Sequence, residues 1–228
     1  KLVASKRADR NASEGVVVAH VAGTKTYMLC LACETDFVAK NEGFSKTANE
    51  ILDIAVKNDV ADLAALLATT EGGRTVADLV SEKSGQTGEK VEMPFYARIE
   101  APFCAAYVHI NHKVGAMIGF NKVVPDELAH DIAMQATAMA PVAINEADCP
   151  KEVIEKEHEI GREQARLEGK PENMLDRIAD GKVKKFLKEN TLWNQDFVKN
   201  PKESVGQHIQ SIDKEAQVVA YKRFSLND

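Results

Sequence analysis

Twice along this chain, two extended apolar runs joined by a short polar turn give way to a helical period, and that repeated plan constrains the fold more than any other feature. Val16-Val17-Val18-Ala19-His20-Val21 and Tyr27-Met28-Leu29-Cys30-Leu31-Ala32-Cys33 flank Gly23-Thr24-Lys25, the pattern of a β-hairpin. From Asn41 to Lys57 the period changes, placing Phe44, Ala48, Ile51, Leu52 and Ala55 on one helical face. The plan returns with Cys104–Ile110 and Val114–Asn121 around the polar turn Asn111-His112-Lys113. A second helix follows, with Pro125 in its first turn and Asp126 and Glu127 at its positive end. Leu128, Ile132, Gln135/Ala136 and Met139 line its apolar face.

Between the two repeats, Val60–Ala68 and Val76–Lys83 read as shorter helices, the second behind a Thr75 cap. Ser84-Gly85-Gln86-Thr87-Gly88 is expected to break the chain before an extended run over Val91–Ala101. Lys151 to Asn190 differs from the rest, with ten Lys/Arg and ten Asp/Glu in forty residues. Its stripe of Val153, Ile154, Ile160, Met174, Ile178, Phe186 and Leu187 is thin, and Gly169-Lys170-Pro171 interrupts it. Glycine then proline is how one helix stops and another starts, so an antiparallel helical hairpin with solvated faces is expected here. A short helix after Pro201 (Val205, Ile209, Ile212) and a strand over Gln217–Leu226, which can complete a sheet, close the chain. The fold class expected is α+β. It comprises two related subdomains, each an antiparallel sheet packed with helices, plus a protruding antiparallel helical hairpin. The divisions fall at 1–15 for a polar linker, 16–101 and 102–228 for the subdomains, and about 151–190 for the hairpin.

Composition narrows the function. At 228 residues, 44% hydrophobic and 28% charged, the chain has the make-up of a globular protein with a sizeable core. A net charge of −6 argues against broad nucleic-acid binding, which needs Lys and Arg to release counterions from phosphates. No apolar run approaches the ~20 residues that span a bilayer, and no signal-peptide pattern opens the chain. It begins on Lys1 rather than Met, so a processed or truncated piece is expected. Four cysteines are too few to staple a chain of this size, and free thiols in a reducing cytoplasm are the simplest reading.

Cys30-Leu31-Ala32-Cys33 has the spacing of a redox dithiol or half a zinc site. On a strand, however, residues three apart point to opposite faces, and no matching ligand pair follows at zinc spacing. His109 and His112 lack accompanying carboxylates or cysteines, so neither metal nor cofactor is expected. Phosphate loops, nucleophile elbows and zinc-protease motifs are all missing. Gly169-Lys170 is no P-loop, because Pro171 stands where Ser or Thr would hold the metal.

Glu34-Thr35-Asp36-Phe37-Val38-Ala39-Lys40 sits where a strand ends and a helix begins, a place where side chains can project outward. Read physically, Thr35 or Asp36 serves as a helix cap and Phe37 as core, or the three form a contact point. The segment Cys33 to Lys40 closely resembles the hallmark of the elongation factor Ts family. Arg10-Asn11-Ala12-Ser13-Glu14-Gly15, Ile132-Ala133-Met134-Gln135 with Ala140-Pro141, Gly181-Lys182-Val183-Lys184-Lys185-Phe186 and Tyr221-Lys222-Arg223-Phe224 agree in register. The family also carries a small helical domain ahead of the linker, expected to be missing here.

The resemblance implies a guanine-nucleotide exchange factor, not an enzyme, that binds elongation factor Tu and speeds GDP release. By position Phe37 would be a wedge at the magnesium side of the partner's nucleotide site, posed by Thr35, Asp36, Val38 and Ala39. A second contact region would fall at Val114-Gly115 and Met134-Gln135. Some relatives have His where Gln135 stands, so no ionisation role belongs there. Two other classes compete. One is an enzyme pairing Asp36 with His109 or His112, and the other is a scaffold dimerising through the charged hairpin. A homodimer or a 2:2 complex with the partner stays open.

Overall fold

β1 (Glu14–Ala22) and β2 (Lys25–Cys33) pair antiparallel, from Glu14 opposite Cys33 to Ala22 opposite Lys25, around Gly23 at φ +66. The computed structural model describes residues 7–228, so the start of the expected linker, residues 1–6, lies outside the described residues. By compactness the chain forms two units. The first runs to Thr137 and takes in Ala220–Asp228, and the second is Ala138–Val219.

In the first unit β2 is the central strand of a sheet ordered β1-β2-β5, with β5 (Glu92–Glu100) antiparallel to it. Both faces of β2 are covered, which is why its sequence from Tyr27 to Cys33 is apolar instead of alternating. Tyr27, Leu29, Leu31 and Cys33 face α2 (Glu42–Lys57), which contributes Phe44, Ala48, Ile51, Leu52 and Ala55 after Thr35-to-Ala39 has formed α1 (Asp36–Ala39). Met28, Cys30 and Ala32 share a core on the other side with Cys104 and Met117 of the second sheet. That second sheet is ordered β10-β7-β6, from β6 (Phe103–Val108), β7 (Val114–Phe120) and β10 (Val218–Ser225). Phe95 of β5 stacks on Phe224 of β10 at 4.8 Å between ring centroids, joining the two sheets face to face.

α5 (Asp126–Met139) buries Leu128, Ala129, Ile132, Ala133 and Ala136. It lies against the second sheet, where His130 meets Tyr107 edge-on and Arg223 Nε donates to Thr137 O at 3.0 Å. In each sheet the strand that returns after the helices lies beside the second strand of the hairpin, β5 beside β2 and β10 beside β7. The internal repeat therefore reaches the topology, and the α+β class follows.

Helix ends show which local signals dominate. α3 (Leu63–Ala68) starts later than Val60, because Asp62 accepts from Ala65 N at 2.8 Å and fixes the cap there. α4 (Val76–Thr87) follows a Thr75–Asp78 capping box and runs through the stretch expected to break the chain. Gly85 weakens a helix by only about 1 kcal/mol, and the stop comes at Gly88, φ +75. Ahead of α4 stands a small hairpin that sequence reading missed, β3 (Thr70–Glu71) and β4 (Arg74–Thr75). Gly72 and Gly73, at φ +61 and +82, supply the two left-handed residues its turn requires.

After α2, Asp59 adopts φ +46 and its carboxylate receives Lys25 Nζ at 2.5 Å, Tyr27 OH at 2.8 Å and Arg98 at 2.8 Å. These partners, the Lys25 hydrogen bond foremost, lower the Asp59 pKa to about 2.

In the second unit α6 (Lys151–Leu167) and α7 (Leu175–Asn190) form the antiparallel hairpin, turning at Gly169 (φ +77) and a 3-10 turn over Glu172–Met174. Its seam keeps part of the expected stripe, with Leu187 buried and Val153, Ile154 and Phe186 packed beside it, and departs from the rest. Gly161, Ala165, Leu175, Ala179, Val183 and Leu187 are buried, while Ile160 and Met174 lie largely exposed. A Cβ on Gly161 would meet Ala179 Cα at 3.4 Å, so small residues let the helices approach closely. Arg162 bridges to Asp176 and to Glu172, and His158 Nε2 to Asp180 at 3.2 Å, across the pair. β8 (Asp196–Phe197), β9 (Asn200–Ser204) and α8 (Val205–Ile212), capped by Ser204 and Gln207, complete the unit. Among the described residues no helix is long and apolar enough to cross a membrane.

Candidate functional site

The segment that stood out in the sequence forms a tied-down turn carrying a bare aromatic ring. Cys33 ends β2, and Thr35 takes the extended backbone of a helix cap, its hydroxyl accepting from Val38 N at 3.3 Å. α1 is one turn long, and Asn41 immediately caps α2 through Gly43 N at 2.8 Å. Ala39 is buried and Val38 packs against the same core, which anchors the inner side of the turn. Phe37 points the other way and is 85% exposed. Burial normally claims a ring of this size, so this one is held out against the hydrophobic effect. Thr35 is therefore a helix cap, and Phe37 is not core.

Polar contacts fix the turn. Glu89, which follows the end of α4, accepts from Glu34 N at 2.9 Å and Thr35 N at 3.0 Å through Oε2. Its Oε1 accepts from the Thr35 hydroxyl at 2.6 Å. In return Lys90 N donates to Glu34 Oε1 at 2.6 Å, and that backbone bond, more than Arg10, holds the Glu34 carboxyl below its ordinary range. Asp36 pairs with Lys40 at 3.0 Å, and this hydrogen bond is the main reason its pKa is lowered. The Lys113 charge, from the turn between β6 and β7, adds to the same effect. That turn borders β1, because Val17 N donates to His112 O at 2.7 Å and Lys113 Nζ pairs with Glu14 at 2.5 Å.

The second expected region is partly internal. Val114 and Met134 are half-buried, while Gly115 and Gln135 are buried. Gly115 is where backbones crowd, since a Cβ there would lie 2.9 Å from Tyr107 O and 3.1 Å from Met28 Sδ. Sequence reading missed Glu89 altogether. It stands 54 and 55 residues from its partners, with no local pattern to mark it.

The remaining chemistry-bearing residues have structural surroundings. Cys30 and Cys33 lie in different cores on opposite faces of β2, and burial pushes both thiols up to about 12. His109 Nδ1 lies 3.1 Å from Tyr107 OH, and His112 is exposed on a left-handed backbone, φ +57. Among the described residues no group of three or more His, Cys, Asp or Glu is placed to hold a metal ion. Asp36 is exposed and turns its carboxylate to Lys40 at 3.0 Å.

Residues 34–228 match the family described as Elongation factor TS. The chain is 43% identical over 228 residues to the Elongation factor Ts of Christiangramia forsetii, covering 98% of this chain and 82% of that relative. It is 42% identical to the Elongation factor Ts of Porphyromonas gingivalis, covering 99% and 82%. A more distant relative, from Kineococcus radiotolerans, is 40% identical over 206 residues, covering 88% and 74%.

Proposed function

The chain belongs to the elongation factor Ts family, and from that premise we infer that it is a guanine-nucleotide exchange factor acting on elongation factor Tu. It acts by binding, and promotes GDP release during translation elongation. One observation carries the finer reading: a phenylalanine that is 85% exposed, on a turn whose neighbours are held by hydrogen bonds. An exposed ring on a fixed support suits insertion into another protein, because little order has to be gained on docking.

Phe37 is the wedge. Thr35 and Asp36 set the start of its one-turn helix, and Val38 and Ala39 root it in the core. Pressed into the GTPase domain, the ring disturbs the magnesium side of the nucleotide site. Magnesium bridges the phosphates of a bound nucleotide, so displacing its ligands removes much of what holds GDP. Val114 and Met134 offer the second contact. Behind them Gly115 permits the strand to pack closely and Gln135 supports the helix from inside.

The test is release of labelled GDP from elongation factor Tu with and without this chain. Acceleration by the wild type and near-complete loss in Phe37→Ala are expected. A Phe37→Ala variant that accelerates release as well as the wild type would sink the wedge.

A further inference from the structure

We propose that Glu89 is a positioning residue for nucleotide exchange, its carboxylate holding the Thr35–Phe37 turn in the pose that docks. The inference rests on reading Phe37 as the wedge and assigns the device that aims it.

Phe37 cannot hold itself. It lies in a four-residue helix, far below the length at which a helix is stable alone, and its ring has almost no packing. What precedes it is held by Glu89 on three sides, through two consecutive backbone N–H groups and one hydroxyl. The direction of that last bond matters. Thr35 has one hydroxyl proton and gives it to Glu89 Oε1, which leaves oxygen lone pairs facing the Val38 N–H. The chain Glu89–Thr35–Val38 thus brackets Phe37 from both sides.

Glu89 is itself braced. Its N–H donates to Thr87 Oγ1 at 3.3 Å, and its carbonyl accepts from the Ser84 hydroxyl at 2.5 Å and Arg7 at 3.4 Å. Lys90 N returns a bond to Glu34, so two carboxylates and two stretches of backbone interlock. A carboxylate accepting several N–H and O–H bonds is a strong, directional clamp.

The test is a double-mutant cycle in the full chain, read as stimulated release of labelled GDP from GDP-loaded elongation factor Tu and, because little release survives Phe37→Ala, also as affinity for the nucleotide-free partner in every variant. Freeing one residue's backbone corresponds to about tenfold in an equilibrium constant, so Glu89→Ala is expected to lower stimulated release by about that factor. In a Phe37→Ala background the same substitution is expected to change nothing further, because the clamp then aims no ring. Glu89→Gln should fall between, since its amide oxygen still accepts from Glu34 N and Thr35 N. Amide hydrogen exchange should quicken at Glu34, Thr35 and Val38 in Glu89→Ala while β2 stays protected. A variant that stimulates release at the wild-type rate overturns the proposal, and so does an equal loss in both backgrounds. Should Glu89→Ala fail to fold, Glu89→Gln and Thr35→Val decide the matter by the same cycle. If the wild type itself leaves GDP release unchanged, the exchange reading has failed instead. The amide-exchange pattern would then still report on the clamp.

Discussion

At the scale of single residues, the chain separates groups that hold the fold from one that does not. Phe37 contributes little to the core, so Phe37→Ala is expected to change stability by less than about 0.5 kcal/mol in a denaturant melt, although it removes a large apolar side chain. Asp59 is the opposite case. Its folded pKa is about 2, against about 3.9 for an unfolded aspartate. Between those values the unfolded chain binds the extra proton, so stability rises with pH across that window. The contribution is fully present above about pH 4 and is lost as the pH falls through about 2. Asp59→Asn should therefore lower stability at neutral pH and flatten the acid limb of the stability curve between those values. An acid limb unchanged in the variant would place the carboxylate's role elsewhere. The cysteines give a third expectation. All four are buried, and Cys30 and Cys33 are held far from their thiolates. A thiol reagent at neutral pH should leave them unmodified in the native chain and react promptly once it is unfolded.

At the scale of elements, the strands were legible where a periodicity had room to show. β1 with β2, and β6 with β7, could be read because runs of nine, nine, six and seven residues bracket obvious turns. β3 and β4, at two residues each, have no period to detect, and only the adjacent Gly72 and Gly73 signalled them. The candidate site was half legible. The Thr35–Ala39 segment declared itself by its residues, but the Glu89 clamp joins distant stretches of chain and exists only in three dimensions. The helical hairpin shows a different limit. Leu187, with Val153, Ile154 and Phe186 beside it, packs as hydrophobicity indicated, but the seam also includes Gly161, Ala165 and Ala179, which it did not mark, while Ile160 and Met174, which it did, are exposed. Close approach of backbones replaces bulk there, and a hydropathy stripe does not register it. Gly161→Ala should thus be neutral to slightly stabilising, because helix propensity improves by up to about 1 kcal/mol while the new Cβ crowds chiefly Cδ of the flexible Lys182 side chain, 3.3 Å away, which can give way, and meets Ala179 Cα at 3.4 Å. Gly161→Leu should destabilise by about 1–3 kcal/mol through overpacking. Thermal melts of both variants check the pair. A leucine tolerated as well as alanine would mean the helices are not held at this spacing.

At the scale of the whole molecule, the energetics require more than the wedge. Burying one phenylalanine is worth about 1.5–3 kcal/mol, or about one to two powers of ten in affinity. A larger weakening of GDP must draw on the broader platform, the two face-to-face sheets that carry both the Phe37 turn and the Val114 and Met134 region. Linkage then makes a quantitative demand. If this chain weakens GDP binding by some factor, GDP weakens binding of this chain by the same factor. Affinities measured for nucleotide-free and GDP-loaded elongation factor Tu should differ by the ratio of the GDP dissociation constants measured without and with the chain. The variants should divide accordingly. If Phe37 is the wedge proposed above, Phe37→Ala is expected to shrink both ratios together. If Met134 belongs to a second contact away from the nucleotide, as proposed, Met134→Ala is expected to weaken binding to both forms of the partner alike and leave the ratio where it was. Were Met134→Ala to change the ratio as strongly as Phe37→Ala, the platform would be acting on the nucleotide itself, and the division of labour between wedge and support would be wrong.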